Sequence, residues 1–557
     1  MFEKDFSGCE CARPMGTLIR WGIKKQSGLC LWCSRHSRKP VLSWKWGYGT
    51  VLLMGLSILP LQTHAQDMVQ HSGRASPVVS SSSGVPSGSE KVLPMGQKNS
   101  LPQPAKKPPA AGDYLASVFD TESISFLLNK NDDALRKSDL VAGYYVPQEA
   151  FGHLVPQLSP VRNWLQKYGY SFEFSYKGEA MADVGGGESH GMSYAHELTW
   201  NNRLDLGKLL GFDGWILHAV MMERAGRQVS YDHVGDHHIL LSEVYSLSGH
   251  MAAHLADIYL EKSFLHNRIN INIGRITLTH TYGTSVLLCT FMVQCSAPVA
   301  MKGMQGWSVY PKATWGGTVR FKPARDLVLR TGAYRVTALT DNPSGWSWGS
   351  EKSTGVMLPI ELTWEPFFGP KRLPGHYKLG FGHDTSPYAD LIGTIPTAYR
   401  NIVTAGSKRA RDTFYIEADQ MVYRKGGRHQ MAGGYILAGY IHNTPSVSAF
   451  SDEVYVGASL LGIIPRRPFD RFGVMYSYYQ MSPALTYGQR LRQMAGMSMG
   501  AFVNGPQTHS AILEAYYGIP VRPGVVVQSE FEYMMRPGET SVIPNATLIG
   551  LKVLGNL

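Results

Sequence analysis

Six side chains stand out for the chemistry that their types and spacing allow. Arg224 and Arg227 end the run Glu223-Arg224-Ala225-Gly226-Arg227, and Glu243 sits in Ser242-Glu-Val-Tyr245. Asp257, Tyr259 and Glu261 recur at every second position, which places all three on one face of an extended strand. Guanidinium forks hold oxygen atoms in pairs, and carboxylates accept from hydroxyl and N–H groups. Such a set can replace the water that a polar solute sheds in a narrow passage. The same charges can instead pair with one another and hold loops, and on a wet surface such pairs contribute little. The run Tyr231-Asp-His-Val-Gly-Asp-His-His238 offers His233, His237 and His238 with Asp232 and Asp236 as ligands by type. A solvated surface loop is the reading preferred for it, so no metal or cofactor is expected. The His-Glu-x-x-His pattern of zinc hydrolases does not occur. A serine nucleophile stays open, because a barrel hydrolase would gather its Ser and His from separate strands.

Beyond residue 65 the cysteines reduce to Cys289 and Cys295. One closely spaced pair in an otherwise cysteine-free stretch fits an oxidising compartment and a single small disulfide. Two buried free thiols are the alternative. The remaining four are Cys9, Cys11, Cys30 and Cys33. Cys30 and Cys33 have the two-residue gap of a zinc knuckle, but Cys9 and Cys11 have only one residue between them.

The elements that would position these groups must be built from 557 residues, 44% hydrophobic and 17% charged, with a net charge of +11. The charge is unevenly placed. Residues 1–65 hold nine Lys/Arg and three Asp/Glu, leaving +5 for the remainder. That is modest for this length, and no clustered basic helix suggests a nucleic-acid partner. Arg35, Arg38, Lys39 and Lys45 precede the apolar run Val51–Leu61, and Thr63-His64-Ala65 offers a cleavage point before Gln66. This is the layout of a secretory signal, too short to span a membrane comfortably. Residues 1–65 are therefore read as an N-terminal extension plus signal peptide. Residues 66–112, with Ser80-Ser-Ser-Ser83 and Lys106-Lys-Pro-Pro109, are read as a disordered linker. Residues 113–169 form an N-terminal segment with a short helix from Ser159 to Tyr168, capped by Ser159, opened by Pro160 and ended by Gly169.

From Tyr170 the hydrophobic period becomes two. Tyr170, Phe172, Phe174 and Tyr176 fall on one face, and Ser171, Glu173, Ser175, Lys177 and Glu179 on the other. The pattern returns in His196–Leu204, Trp215–Met222, Ala256–Glu261 and Ile269–Ile273. It continues in Thr318–Phe321, Leu327–Tyr334, Ile360–Trp364, Tyr377–His383, Phe414–Tyr423, Gly434–His442, Val454–Leu460, Arg471–Tyr479, His509–Tyr517, Val525–Tyr533 and Ala546–Leu557. One such strand also suits a soluble sandwich. Many of them, joined by Gly- and Pro-bearing turns and longer loops, predict an all-β transmembrane antiparallel barrel over 170–557. No helical period of any length is read in that region. The stretch after Ile273 reads as a long loop, pinched at Cys289 and Cys295, that folds into the lumen as a constriction.

Several segments resemble the carbohydrate-selective porins of the OprB family. They are Tyr176-Lys-Gly-Glu-Ala180 with Gly185-Gly-Gly187, Leu206-Gly-Lys-Leu-Leu-Gly211, Arg224-Ala-Gly-Arg227, Tyr259-Leu-Glu-Lys-Ser-Phe264 and Asn272-Ile-Gly-Arg275. The closing segments are Phe531-Glu-Tyr533, Arg536-Pro-Gly538 and Asn545-Ala546. The resemblance covers Leu158 to Leu557. It implies 16 strands in the outer membrane and passive diffusion of carbohydrates, monosaccharides such as glucose among them, without catalysis. Arg224, Arg227, Glu243, Asp257, Tyr259 and Glu261 are then the expected pore-lining groups. Carbohydrate and outer-membrane lipid are the expected partners, and a homo-oligomer is left open. Two departures from the family pattern stand out. The chain ends at Leu557 rather than at an aromatic residue, and Phe291-Met-Val293 makes the eyelet loop apolar between its cysteines. The competing expectations are a barrel esterase or phospholipase, and a non-selective or plugged structural barrel.

Overall fold

The computed structural model describes residues 153–557 apart from 245–250, 286, 296, 338–343, 347, 349–351, 397–401, 405, 426–431, 466 and 468. The expected signal peptide, the linker, most of the 113–169 segment and the four early cysteines lie outside the described residues. The first eight barrel strands are β1 (Tyr170–Gly185), β2 (Gly191–Asp205), β3 (Trp215–Gly226), β4 (Met251–Phe264), β5 (Ile269–Ile276), β6 (Thr314–Ala324), β7 (Leu327–Thr337) and β8 (Ser353–Trp364). The second eight are β9 (Leu373–Ala389), β10 (Ser407–Arg424), β11 (Gly433–Asn443), β12 (Phe450–Leu461), β13 (Arg471–Met481), β14 (His509–Arg522), β15 (Val525–Met535) and β16 (Ala546–Asn556). Each pairs antiparallel with its sequence neighbours, and β1 pairs with β16 to close the ring. Closure matters because hydrocarbon offers no partner for an unpaired strand edge. The pair Phe367–Phe368 adds to the edge of β9, and 394–396 with 402–404 form a separate small ribbon.

The alternation read from sequence is the wall of this barrel. Outward positions expose large apolar side chains, among them Phe174, Ile360, Leu379, Ile416, Val456 and Ile549. Their strand neighbours Glu173, Glu361, Glu417, Tyr455 and Leu548 are buried inside. So extensive an oily outer face would be unstable in water and suits lipid. No helix among the described residues is long and apolar enough to cross a membrane.

The connections separate by end. Those at 265–268, 325–326 and 523–524 are tight turns, and they share an end with both chain termini of the barrel. Those at 227–250, 277–313 and 482–508 are long and lie at the other end. At the short-turn end, α1 (Ser159–Lys167) precedes β1, and Arg162 bonds the carbonyl of Leu557. Gly169, at φ +97°, ends the segment as expected from its freedom in the left-handed region. Three details differ from expectation. The cap of α1 is Leu158, because a 3-10 turn over Pro156–Leu158 runs straight into the helix and leaves Ser159 inside it. The supposed plain connection after β2 contains α2 (Leu206–Leu210), capped by the Asp205 carboxylate. The region also holds a real helix, termed α4 below, Pro483–Met494, in the loop between β13 and β14. Ser482 caps it at Ala484 and Leu485 N–H, and Pro483 fills the first turn. That Ser-Pro signature is legible in sequence but carries little amphipathic period.

A charge on the outer face tests the orientation. Ile416→Arg on β10 should cost roughly 2–4 kcal/mol of folding free energy near the bilayer midplane. Denaturant titration of vesicle-inserted protein measures it, and a change within error of zero would place Ile416 away from lipid.

Candidate functional site

Two of the long connections turn inward. The first, 277–313, leaves β5 at once: Asp257 Oδ1 on β4 accepts from Thr277 N–H and Oγ1 at 2.7 and 2.9 Å. It then crosses the lumen against the inner faces of later strands. Tyr282 OH meets Thr318 on β6 at 2.9 Å, and Gly283 N–H donates to Glu361 on β8 at 3.0 Å. Gly283 has φ +58°, and a Cβ there would press on the Met301 side chain, so glycine suits the turn. Ser285 donates to Asp419 on β10 at 2.9 Å. Further across, Met292 N–H donates to Glu514 on β14 at 2.5 Å, and Gln294 donates to Glu453, Ser477 and Tyr479 on β12 and β13. A short helix, α3 (Val299–Lys302), follows, with Ala300 N–H on Glu453 at 2.6 Å. Trp307 returns the loop to Thr413 on β10 at 3.1 Å.

Cys289 and Cys295 form a disulfide with S–S 2.08 Å. The apolar residues between them do not face water: Phe291, Met292 and Val293 are buried, and Phe291 meets Tyr516 edge-on at 5.0 Å. The oily tip that departs from the family pattern is thus a packing anchor against the wall.

The second inward connection, 227–250, carries the histidine run. Its described part packs rather than floats, which corrects the expectation of a solvated loop. Val229, Val234, Ile239 and Leu241 are fully buried. Asp236 accepts from His238 N–H, Ile239 N–H and, across to the 536–545 loop, Gly538 N–H. His238 Nδ1 lies 3.0 Å from Glu539, which also accepts from Gln507 at 2.7 Å. Gln507 in turn binds Gln489 of α4 (Pro483–Met494). Three loops are thereby tied at one point. Among the described residues no group of three or more His, Cys, Asp or Glu is arranged to hold a metal ion.

The six sequence-selected groups fall in different settings. Glu243 enters the lumen between Lys177 on β1 and Lys552 on β16, and bonds both. Burial pushes its carboxyl up, but the two ammonium charges outweigh this and hold it at about 2. Arg224 is buried and binds Glu197 through Nε at 2.9 Å, with its guanidinium 5.7 Å from the ring of Tyr310 on the crossing loop. Asp257 anchors the loop and also faces His280 at 3.1 Å. Glu261 accepts from Asn270 at 3.0 Å and meets His218 at 2.7 Å, and Tyr259 stacks on His218 at 4.6 Å. Asp257, Tyr259 and Glu261 do share the inner face of β4. Arg227 stands apart: its side chain is 77% exposed and clasps Asp232 at 2.7 and 2.8 Å. Sequence reasoning did not single out Lys177, Glu197, Lys302, Tyr310 or Lys552. Lys177 and Glu197 were on the polar faces of their strands; the others gain meaning only when the loops fold in.

What this arrangement can do is narrow an aqueous passage and line it with fixed charges and hydroxyls. Removing the anchoring carboxylate in Glu453→Ala should orphan Ala300 N–H, leave Gln294 with Ser477 and Tyr479 alone, and cost about 1–3 kcal/mol. The readout is a noisier and larger single-channel conductance; unchanged traces would show that Glu453 does not hold the loop. The three-loop tie should respond to pH. Burial pushes His238 down, but Glu539 outweighs it and raises it to about 9, while burial beside Glu539 raises Asp236 to about 7. Both groups bind protons more tightly in the folded tie than when released, so its stability falls as pH rises through about 7 and then about 9. Flicker in planar-bilayer recordings should increase across that window, and Glu539→Gln should flatten the response.

The comparisons with known proteins agree with this architecture. The profile of the carbohydrate-selective porin, OprB family, matches residues 189–557. Porin B of Pseudomonas aeruginosa is 24% identical over 411 residues, covering 70% of this chain and 88% of the relative. The putative porin QuiX of Acinetobacter baylyi is 22% identical over 413 residues, covering 70% of this chain and 90% of the relative. Among solved structures, the high-pH structure of Pseudomonas putida OprB superposes with a TM-score of 0.66 at 20% identity, covering 74% of this chain and 99% of that one. A closed ring of 16 strands, a charged interior crossed by an inward loop, and a profile match over most of the barrel converge: the chain belongs to the OprB family of carbohydrate-selective porins.

Proposed function

We propose that this outer-membrane carbohydrate porin works by passive diffusion of monosaccharides past the constriction made by the 277–313 loop. The observation that carries the reading is the set of ionic and aromatic groups brought together there. Glu243 lies between Lys177 and Lys552, and Arg224 lies under Tyr310. A sugar presents hydroxyls to the first set and a weakly apolar ring face to the aromatic. Asp257, Tyr259 and Glu261 act more through position, by fixing the loop and His218. Arg227 acts at the rim, where it meets solute before the narrow part. The outer face contacts lipid, and the number of copies per assembly is left open.

An esterase reading would use the Ser189 Oγ–His233 Nδ1 contact of 3.0 Å, which lies on an exposed turn at the long-loop end. Hydrolysis of p-nitrophenyl esters by the pure chain, abolished in Ser189→Ala, would establish it.

The direct test is single-channel conductance of the refolded chain in a planar bilayer with a glucose titration. Open channels whose ion current falls saturably with glucose are expected. Folded protein without channels would overturn diffusion as the mechanism. An Arg224→Ala, Arg227→Ala double variant should change sugar permeability, and unchanged permeability would remove those two from the lining.

A further inference from the structure

Many inward charges of both signs are buried, cations such as Arg224, Arg275, Arg471 and Lys552 among them, but those of the wall that reach water share one sign. From Glu179 on β1 to Glu532 on β15, the inward carboxylates of the described strands are buried. Many are committed to loop N–H groups: Glu361 to Gly283, Glu514 to Met292, Glu453 to Ala300 and Glu179 to Val244. On the described wall strands the inward charged side chains that keep contact with water are the cations Lys177, Arg203, Arg330 and Lys378, and Lys302 on the crossing loop is likewise half-buried. Two ion pairs show the same asymmetry, whereas in Lys552–Glu243 and Arg224–Glu197 both partners are buried. Lys177 is 21% exposed against 5% for Glu243, and Arg330 is 22% exposed against 0% for Glu361. Lys302 donates to the Val293 carbonyl and Lys378 to the Thr284 carbonyl, so both ammonium groups lie against the crossing loop bonded to uncharged oxygen.

The formal charges of wall and loops nearly cancel, yet the surface that a solute meets does not share that balance. A sealed carboxylate is separated from the passage by the group it binds, whereas a lysine at the water boundary acts at contact distance. In a narrow lumen with low-dielectric walls such a field is focused along the axis, and rings of Lys or Arg are the usual basis of anion preference. We propose that the solute this pore admits best is an anionic one, a polyhydroxylated carboxylic acid of monosaccharide size such as an aldonate or uronate. The inference rests on the diffusion reading above. The hydroxyl groups use the same lining that a neutral sugar would use, and the carboxylate is drawn by the partly exposed Lys177, Lys302 and Arg330.

Two measurements on the full refolded chain test it. The first is the zero-current potential under a KCl gradient, which should report chloride permeating several-fold faster than potassium, an excess that shrinks at high salt as the charges are screened. The second is swelling of proteoliposomes in gluconate, glucose and glucosamine, which differ chiefly in charge. Gluconate should enter fastest and glucosamine slowest. A Lys177→Gln, Lys302→Gln variant should lower the gluconate-to-glucose ratio several-fold. Potassium preference, equal entry of the three solutes, or glucosamine entering fastest would overturn the proposal while leaving the porin reading intact. Folded protein without channels would overturn both.

Discussion

Everything inside the barrel follows from one constraint: a loop drawn into a lumen brings backbone N–H groups that must find acceptors there. Two loops are drawn in, and the wall answers with carboxylates. Glu361, Glu453 and Glu514 accept from the 277–313 loop, Asp257 fixes its first residue, and Glu179 accepts from the 227–250 loop. A carboxylate suits the task because it accepts several bonds at once and, when ionised, accepts strongly. The result is a narrow passage in which these five carboxylates are engaged by the loops before any solute arrives.

The cations complete the arrangement. Lys552 is fully buried and meets Glu179 at 3.8 Å while bonding Glu243, so one ammonium group serves both the wall and the second loop. Lys177 approaches Glu243 from the other side and keeps part of its surface in water. Removing one member of such a set leaves a buried charge without its partner, which costs more than the pair gains. The apolar half of the crossing loop does different work. Phe291 against Tyr516 and Trp307 against Tyr415 fill volume that no polar network could fill without further acceptors.

The wall was legible in the chain because its rule is local. Period two with one oily face is visible in Tyr170–Glu179 and again in Val525–Tyr533, and each such segment became a strand. Strand ends were less legible: Thr318–Phe321 extends to Thr314–Ala324, because ladder pairing with β5 and β7 continues past the alternating core. The disposition of the site was only partly legible. Asp257, Tyr259 and Glu261 share a face by arithmetic, but that Asp257 holds a loop residue twenty positions on depends on the fold. The histidine run looked solvated because its composition is polar. Its burial comes from Glu539 and Gln507, roughly three hundred residues away in sequence. No local pattern encodes a partner at that distance.

The direction in which the crossing loop is anchored has a consequence for biogenesis. Residues 277–313 precede nearly every group that receives them: Glu361, Asp419, Glu453, Glu514 and Gln528 all come later in the chain. The N–H groups of the loop can therefore find these acceptors only once β8 through β15 stand in the sheet, whatever the order in which the strands join it. Contacts of this sequence separation form late and slowly. A half-built sheet lacks these acceptors and so holds no eyelet, and the sieve comes only with the finished wall.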